Sequence, residues 1–210
     1  MKKNIPEKSI ERLSQYRRTL LNFLKNNKVN IYSHELAAAM HITSVQVRRD
    51  LMLIGYSGSQ SKGYDISDLV SHIAEILDDE KGQNVAVIGV GNMGRAITSY
   101  LTGRRPKLNI VALFDIDNEK VNRMISGVYC YHIEKLEEIF KKENIKVAIL
   151  TVPADASQQM ATKLVIAGVK GILNYTPVPL KVSSSVFIAE YDIITSLEKV
   201  AYYAKNNNHI

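Results

Sequence analysis

The chain has 210 residues, 46% of them hydrophobic and 23% charged, which excludes wholesale disorder and fibrous structure and leaves room for one ordinary domain plus a smaller one. A single cysteine, Cys130, excludes a disulfide framework and any multi-cysteine metal site, and no apolar run approaches the roughly 20 residues that span a bilayer. The net charge of +6 is uneven: residues 1–64 hold eleven Lys/Arg against four Asp/Glu, whereas residues 65–80 hold six acids and no Lys or Arg.

A basic first segment suits a polyanionic partner. Ile10, Leu13, Leu20, Leu21 and Leu24 at helical spacing predict a first helix over 9–25, with Ser9 as its cap. A short helix over 33–40 follows, then a tight turn at His41 and Ile42. Thr43, with Gln46 three residues on, fits a capping box. The helix it opens carries Val47, Leu51 and Ile54 on one face, with Arg49 nearly opposite and Arg48 flanking. Helix, short helix, tight turn and capped helix with two exposed arginines is a helix-turn-helix pattern. Residues 55–64 are too rich in glycine and serine for a helix and suit a hairpin or wing. The acidic stretch 65–80 reads as an amphipathic helix closing the small domain, and Lys81-Gly82-Gln83 as the boundary.

From Asn84 the texture changes. Strands are expected at 85–88, 110–114, 147–150, 172–173 and 186–188, with helices at 95–102, 133–143, 154–167 and 196–205. That alternation predicts an α/β domain with a parallel sheet and helices on both faces. Gly89-x-Gly91-x-x-Gly94 follows a predicted strand, opens a predicted helix and lies 21 residues before Asp115 at the next strand's end. This full context is the dinucleotide fingerprint. Gly89 allows the tight turn, Gly91 lets backbone amides approach a pyrophosphate, and Gly94 lets helix and strand pack closely. Asp115 would accept the adenosine ribose hydroxyls and repel a 2′-phosphate, favouring NAD over NADP; Asp117 is the alternative acid. Thr151-Val152-Pro153 and Asn174-Tyr175 fall at the ends of later strands, where they would line the nicotinamide half or serve as ordinary turns.

Chemistry beyond binding is scarce. The five histidines, His34, His41, His72, His132 and His209, are scattered and form no metal-ligand spacing, and no nucleophile elbow or P-loop is present. The nucleotide fold consumes residues 84–194, leaving no domain to hold a substrate, so the chain reads as a sensor of the cofactor with no catalytic residue. Two other readings are a small NAD-dependent oxidoreductase and a coenzyme A-binding domain, which shares this fold. In the terminal helix Leu197, Val200, Ala201 and Ala204 make an apolar stripe suited to dimerisation. The first residues carry no apolar segment of signal-peptide type, so a cytoplasmic protein without a membrane partner is expected.

The run Ser44-Val45-Gln46-Val47-Arg48-Arg49-Asp50-Leu51, the pair Gly63-Tyr64, the loop from Gly89 to Gly94, Phe114-Asp115-Ile116-Asp117, Thr151-Val152-Pro153-Ala154 and the run from Gly168 to Pro177 together resemble the redox-sensing transcriptional repressor (Rex) family. The resemblance covers almost the whole chain. It implies a winged-helix DNA-binding domain over 1–80, a Rossmann domain over 81–194 binding NADH and NAD+, and a C-terminal helix over 195–210 that swaps into the partner of a homodimer. It implies operator double-stranded DNA as partner, bound when NADH is scarce and released by NADH.

The implied DNA contacts are Ser33, Thr43, Ser44, Gln46, Arg48, Arg49, Gln60 and Lys62. The implied cofactor set is Gly89, Val90, Gly91, Asn92, Met93, Gly94, Arg95, Asp115, Asp117, Thr151, Val152, Pro153, Asn174 and Tyr175. Arg18, Tyr100 and Asp192 match a switching set in which a partly buried Asp192 pairs with Arg18 in the DNA-competent state and with Tyr100 across the dimer once NADH binds. The chain departs from the family pattern in three places. Gln60 stands where a minor-groove arginine is expected, with Lys62 nearby; Arg104 and Arg105 make the stretch after Tyr100 more basic; and Ile193 stands where an aromatic is common.

Overall fold

Apolar residues three and four apart on α1 (Glu7–Lys25) place Leu13, Tyr16 and Leu20 on one buried stripe. Together with α2 (Ser33–Met40), α3 (Ser44–Leu53) and α4 (Ile66–Leu77) this helix encloses a core of Leu36, Val47, Leu51, Ile66, Leu69 and Ile73. Two short strands, β1 (Asn30–Ile31) and β2 (Tyr64–Asp65), pair antiparallel at the base of the loop after α3. These elements form one compact unit, Met1–Glu80; the second is Lys81–Ile210. The computed structural model describes residues 5–59, 61–105 and 107–206.

The helix ends explain where sequence and structure differ. α1 starts at Glu7 behind Pro6, so Ser9 is not its cap; the Ser9 side chain turns inward and donates to Asp50 at 3.2 Å. Thr43 does cap α3, its hydroxyl accepting the Gln46 N–H at 3.1 Å. The Gln46 side chain does not return to close the box, and instead donates to Asp50 at 3.1 Å. Asp65 caps α4 by accepting the Asp68 N–H at 2.9 Å.

The second unit is built on a seven-stranded sheet of β3 (Gln83–Ile88), β4 (Leu108–Asp115), β5 (Arg123–Ile125), β6 (Val128–His132), β7 (Val147–Leu150), β8 (Gly171–Asn174) and β9 (Phe187–Glu190). Its order is β5-β6-β4-β3-β7-β8-β9. All neighbours run parallel except β5 and β6, which form an antiparallel hairpin at the edge. The sheet is therefore mixed, not wholly parallel: after Asp115 the chain returns to the edge strand β5, and a tight turn at Ser126 and Gly127, both at positive φ, leads into β6.

Central-strand residues alternate between faces. Ala86 and Ile88 join Phe114, Ile139, Phe140 and Leu164 on one side, while Val85 and Val87 join Leu113, Cys130 and Ile149 on the other. The covering helices are α5 (Asn92–Leu101), α6 (Leu136–Lys142) and α7 (Ala154–Ile166). α5 begins three residues earlier than periodicity indicates, because Gly91 takes an extended backbone and serves as its N-cap. From β3 the chain passes to β4 on one side and later to β7 on the other. That strand reversal opens a crevice at the carboxyl ends of the strands, the place where such sheets bind ligands. A last helix, α8 (Ile193–Asn206), starts three residues before its expected position and is exposed along its described length.

Candidate nucleotide site and DNA-contact surface

The loop between β3 and α5 is shaped by two close approaches. Gly89 has φ +91°, and a Cβ there would lie 2.8 Å from the Thr151 carbonyl oxygen. A Cβ on Gly94 would collide with the Gly89 carbonyl oxygen. Gly91, by contrast, has nothing within 4 Å of its Cβ position and leaves open space above the loop. The Thr151 hydroxyl, 2.7 Å from the Gly89 carbonyl oxygen, ties the end of β7 to this turn.

Asp115 closes the other side. Only 9% exposed, it accepts the Val90 N–H at 2.7 Å through Oδ2, and the Ile116 and Asp117 N–H groups at 2.9 and 3.0 Å through Oδ1. Lys120 Nζ stands 3.6 Å from Asp115 and 3.1 Å from Asp117. The Glu119 N–H, and then Lys120, hold the Asp117 carboxyl below its usual range; Asp117 in turn raises Lys120. The lysine thus offsets part of a two-carboxylate rim.

These groups border a cavity of about 500 Å3 with an apolar floor of Ile88, Phe114, Ile133, Ala156 and Met160. The volume lies within the range of roughly 300–1,000 Å3 for small-molecule sites. The cavity brings together Gly89, Gly91, Asp115, Asp117, Thr151, Val152 and Pro153. Val90, Asn92, Met93, Gly94 and Arg95 shape or flank its loop, Val90 through its N–H to Asp115 and Arg95 through Nε to the Val90 carbonyl at 3.2 Å.

Two expected members stand apart. Asn174 is fully buried: its amide nitrogen donates to the Val178 carbonyl and to Glu190, and its oxygen accepts from the Thr176 N–H and hydroxyl. With its polar atoms engaged it holds β8 to β9 and does not line the cavity. Tyr175 packs on Tyr191 with ring centroids 5.0 Å apart and likewise lies outside the lining. Lys120, Ile133 and Met160 line it without having been expected to. The one available signal was the i, i+3 spacing of Asp117 and Lys120.

In the first unit α3 presents Arg48 and Arg49 to solvent, and Arg48 also donates to Ser33 Oγ at 3.1 Å. Thr43 and Gln46 are engaged within the unit as described, so their side chains position α3. Ser44 is half-buried at the first turn, and Lys62 is exposed in a loop closed by paired Ser59 and Gly63. Gln60 lies outside the described residues. Sequence reasoning missed the anchor beneath α3. Asp50, 2% exposed, accepts from Arg12 at 2.6 and 2.7 Å and from the Tyr16 hydroxyl at 2.8 Å. Burial pushes the Asp50 carboxyl up, but hydrogen bonds from Arg12 and then Tyr16 outweigh it and leave it below its usual range. Burial, and then the bond to Asp50, raise the Tyr16 hydroxyl.

Residues 4–51 match a family described as putative DNA-binding protein N-terminus, and residues 80–178 match one described as CoA binding domain. The redox-sensing transcriptional repressor Rex of Lactobacillus acidophilus is 38% identical over 95% of this chain and 94% of its own length. That of Geobacillus kaustophilus is 38% identical over 96% and 94%. The chain belongs to the Rex family. Both relatives are named as repressors and neither as an enzyme. The Rex-family repressor RSP, solved in complex with NAD+ and operator DNA, superposes with a TM-score of 0.90 at 33% identity, covering 97% of this chain and 94% of RSP. Its complex with NADH gives 0.86 at 32% identity, covering 98% and 96%.

Asp192, Tyr100 and Arg18, the three residues expected to exchange partners on switching, do not touch one another among the described contacts. Asp192 caps α8, accepting the Ile194 and Thr195 N–H groups at 2.9 and 3.2 Å and the Thr195 hydroxyl at 2.6 Å. It is exposed in this chain, not partly buried, and the Thr195 bonds hold its carboxyl below the usual range. Tyr100 is 60% exposed, with the Arg104 guanidinium 4.3 Å from its ring centroid. Arg18 is exposed on α1.

Proposed function

We propose that this Rex-family chain is a dimeric, cytoplasmic repressor that binds operator duplex DNA while NADH is scarce and releases it when NADH fills the cavity. The observation that carries the reading is the loop at the sheet's reversal point: open space over Gly91, free first-turn amides of α5, and Asp115 buttressed against the loop. These residues fit a dinucleotide. The Gly91–Asn92–Met93 backbone would meet the pyrophosphate, Asp115 would accept ribose hydroxyls through the remaining capacity of Oδ2, and the apolar floor would take a ring. Two carboxylates at the rim disfavour a 2′-phosphate. An apolar pocket also accepts the neutral dihydronicotinamide more readily than the cationic ring of NAD+.

RSP, at TM-score 0.90, has been solved with NAD+ and operator DNA, and this supports assigning the same partners here. Release requires NADH to bind the DNA-incompetent conformation more tightly than the competent one. A thiol is a poor alternative sensor: Cys130 is buried, and burial pushes its pKa up to about 11. Exposed Arg48, Arg49 and Lys62 supply the DNA-facing charge.

Calorimetry tests the cofactor assignment. Asp115→Ala should weaken NADH binding by about 1–3 kcal/mol, the range for stranding polar partners. Asp117→Ala should cost less, and coenzyme A should not displace NADH. Unchanged binding in Asp115→Ala would overturn its ribose role; the reverse order of the two variants would move that role to Asp117.

A further inference from the structure

Tyr32 follows β1 directly and occupies a junction that neither the nucleotide cavity nor the arginines of α3 account for. The pairing of Ile31 with Tyr64 anchors the base of the loop after α3. Ser59 and Gly63 exchange both backbone hydrogen bonds at 2.8 Å, closing a tight tip that carries Ser61 and Lys62. The Tyr32 hydroxyl reaches across and donates to the Ser61 carbonyl at 2.8 Å. A Cβ on Gly63, which has φ +72°, would lie 3.0 Å from Tyr32 Cδ1 and 2.5 Å from the Ile31 carbonyl, so the tip is pressed against this tyrosine. The ring also stacks on His34 at 5.6 Å and 14°. The next residue, Ser33, accepts from Arg48. Between loop and helix lies a cleft of about 250 Å3 walled by Tyr32, Ser33, Arg48, Ser59, Gly63 and Tyr64.

We infer that Tyr32 is a positioning residue for DNA binding, clamping the wing to the start of α2 and so fixing Lys62 relative to Arg48. The inference rests on the proposed DNA-binding function. A short polar loop with few buried contacts opens at little cost, and a loop that must be ordered on binding subtracts that ordering from affinity. One hydroxyl bond to the tip removes much of this freedom beforehand. The requirement is sharper for a lysine than for an arginine, because a point charge gains less from a narrow minor groove and depends more on being held in place.

The test uses the full chain and the duplex that the wild type selects most tightly from a randomised pool. Tyr32→Phe keeps the ring and its stacking and removes only the bond to Ser61. Tyr32→Phe and Lys62→Ala should each weaken binding about three- to tenfold, the scale of one hydrogen bond. The double variant should bind no more weakly than the weaker single one. Combined with Arg49→Ala, Tyr32→Phe should multiply its effect, and its melting temperature and NADH affinity should match the wild type. Wild-type affinity in Tyr32→Phe, or a Tyr32→Phe loss that persists undiminished in Lys62→Ala, would overturn the inference. A wild type that selects no duplex at all would overturn the DNA-binding reading, and the inference with it.

Discussion

Asp50 shows how one residue fixes the orientation of a helix that carries function. Its carboxylate accepts hydrogen bonds from Ser9, Arg12, Tyr16 and Gln46, joining α1 to α3 through a buried acceptor. Removing one partner of a buried pair leaves the others uncompensated, so Asp50→Ala should destabilise the first unit by about 3 kcal/mol. Because the folded carboxyl lies below its ordinary value, the stabilisation is present above about pH 4 and is lost as pH falls through the lower folded pKa. An acid titration followed by circular dichroism should therefore show a shallower loss for Asp50→Asn than for the wild type. Equal slopes would mean that the carboxylate does not govern acid unfolding. In the sequence Asp50 is one more acid beside Arg49. Its burial becomes visible only once α1 brings Arg12 and Tyr16 against it.

At the scale of elements, helical periodicity made α1 and α4 legible, and continuous apolar runs made β3, β4 and β7 legible, since these strands are buried on both faces. The two-residue strands β1 and β2 and the three-residue β5 are too short to carry a period. The start of α5 escaped notice because its cap is the backbone conformation of Gly91, not a side chain. Asn174 was legible as a strand end, but its direction was not: Glu190 on β9, sixteen residues on, claims its amide. The glycine loop and Asp115 lie 25 residues apart at their hydrogen bond, yet their pairing is legible because a recurrent strand–turn–helix–strand motif fixes it. On α3, Arg49 is exposed and has no structural duty among the described contacts, in contrast to Arg48. Arg49→Ala should lower operator affinity and reduce the slope of log K against log salt by about one. An unaltered slope would place Arg49 away from the phosphates.

For the molecule as a whole, α8 is the element that one chain leaves uncovered. Leu197 and Val200 are 66% and 63% exposed, with Ile194 and Tyr203 also facing solvent. A contiguous apolar stripe of this kind marks an association surface, and the proposed dimer would cover it with a second copy of this chain. Removing the residues after Ile194 should therefore give a monomer in sedimentation velocity; a truncated chain that stays dimeric would place the interface elsewhere. Coupling between DNA and nucleotide is read out by an anisotropy titration of a selected palindromic duplex, run alone and with NADH, NAD+ or NADPH. NADH should release the duplex, and NAD+ and NADPH should not. Binding indifferent to all three nucleotides would mean that the cavity does not govern DNA release.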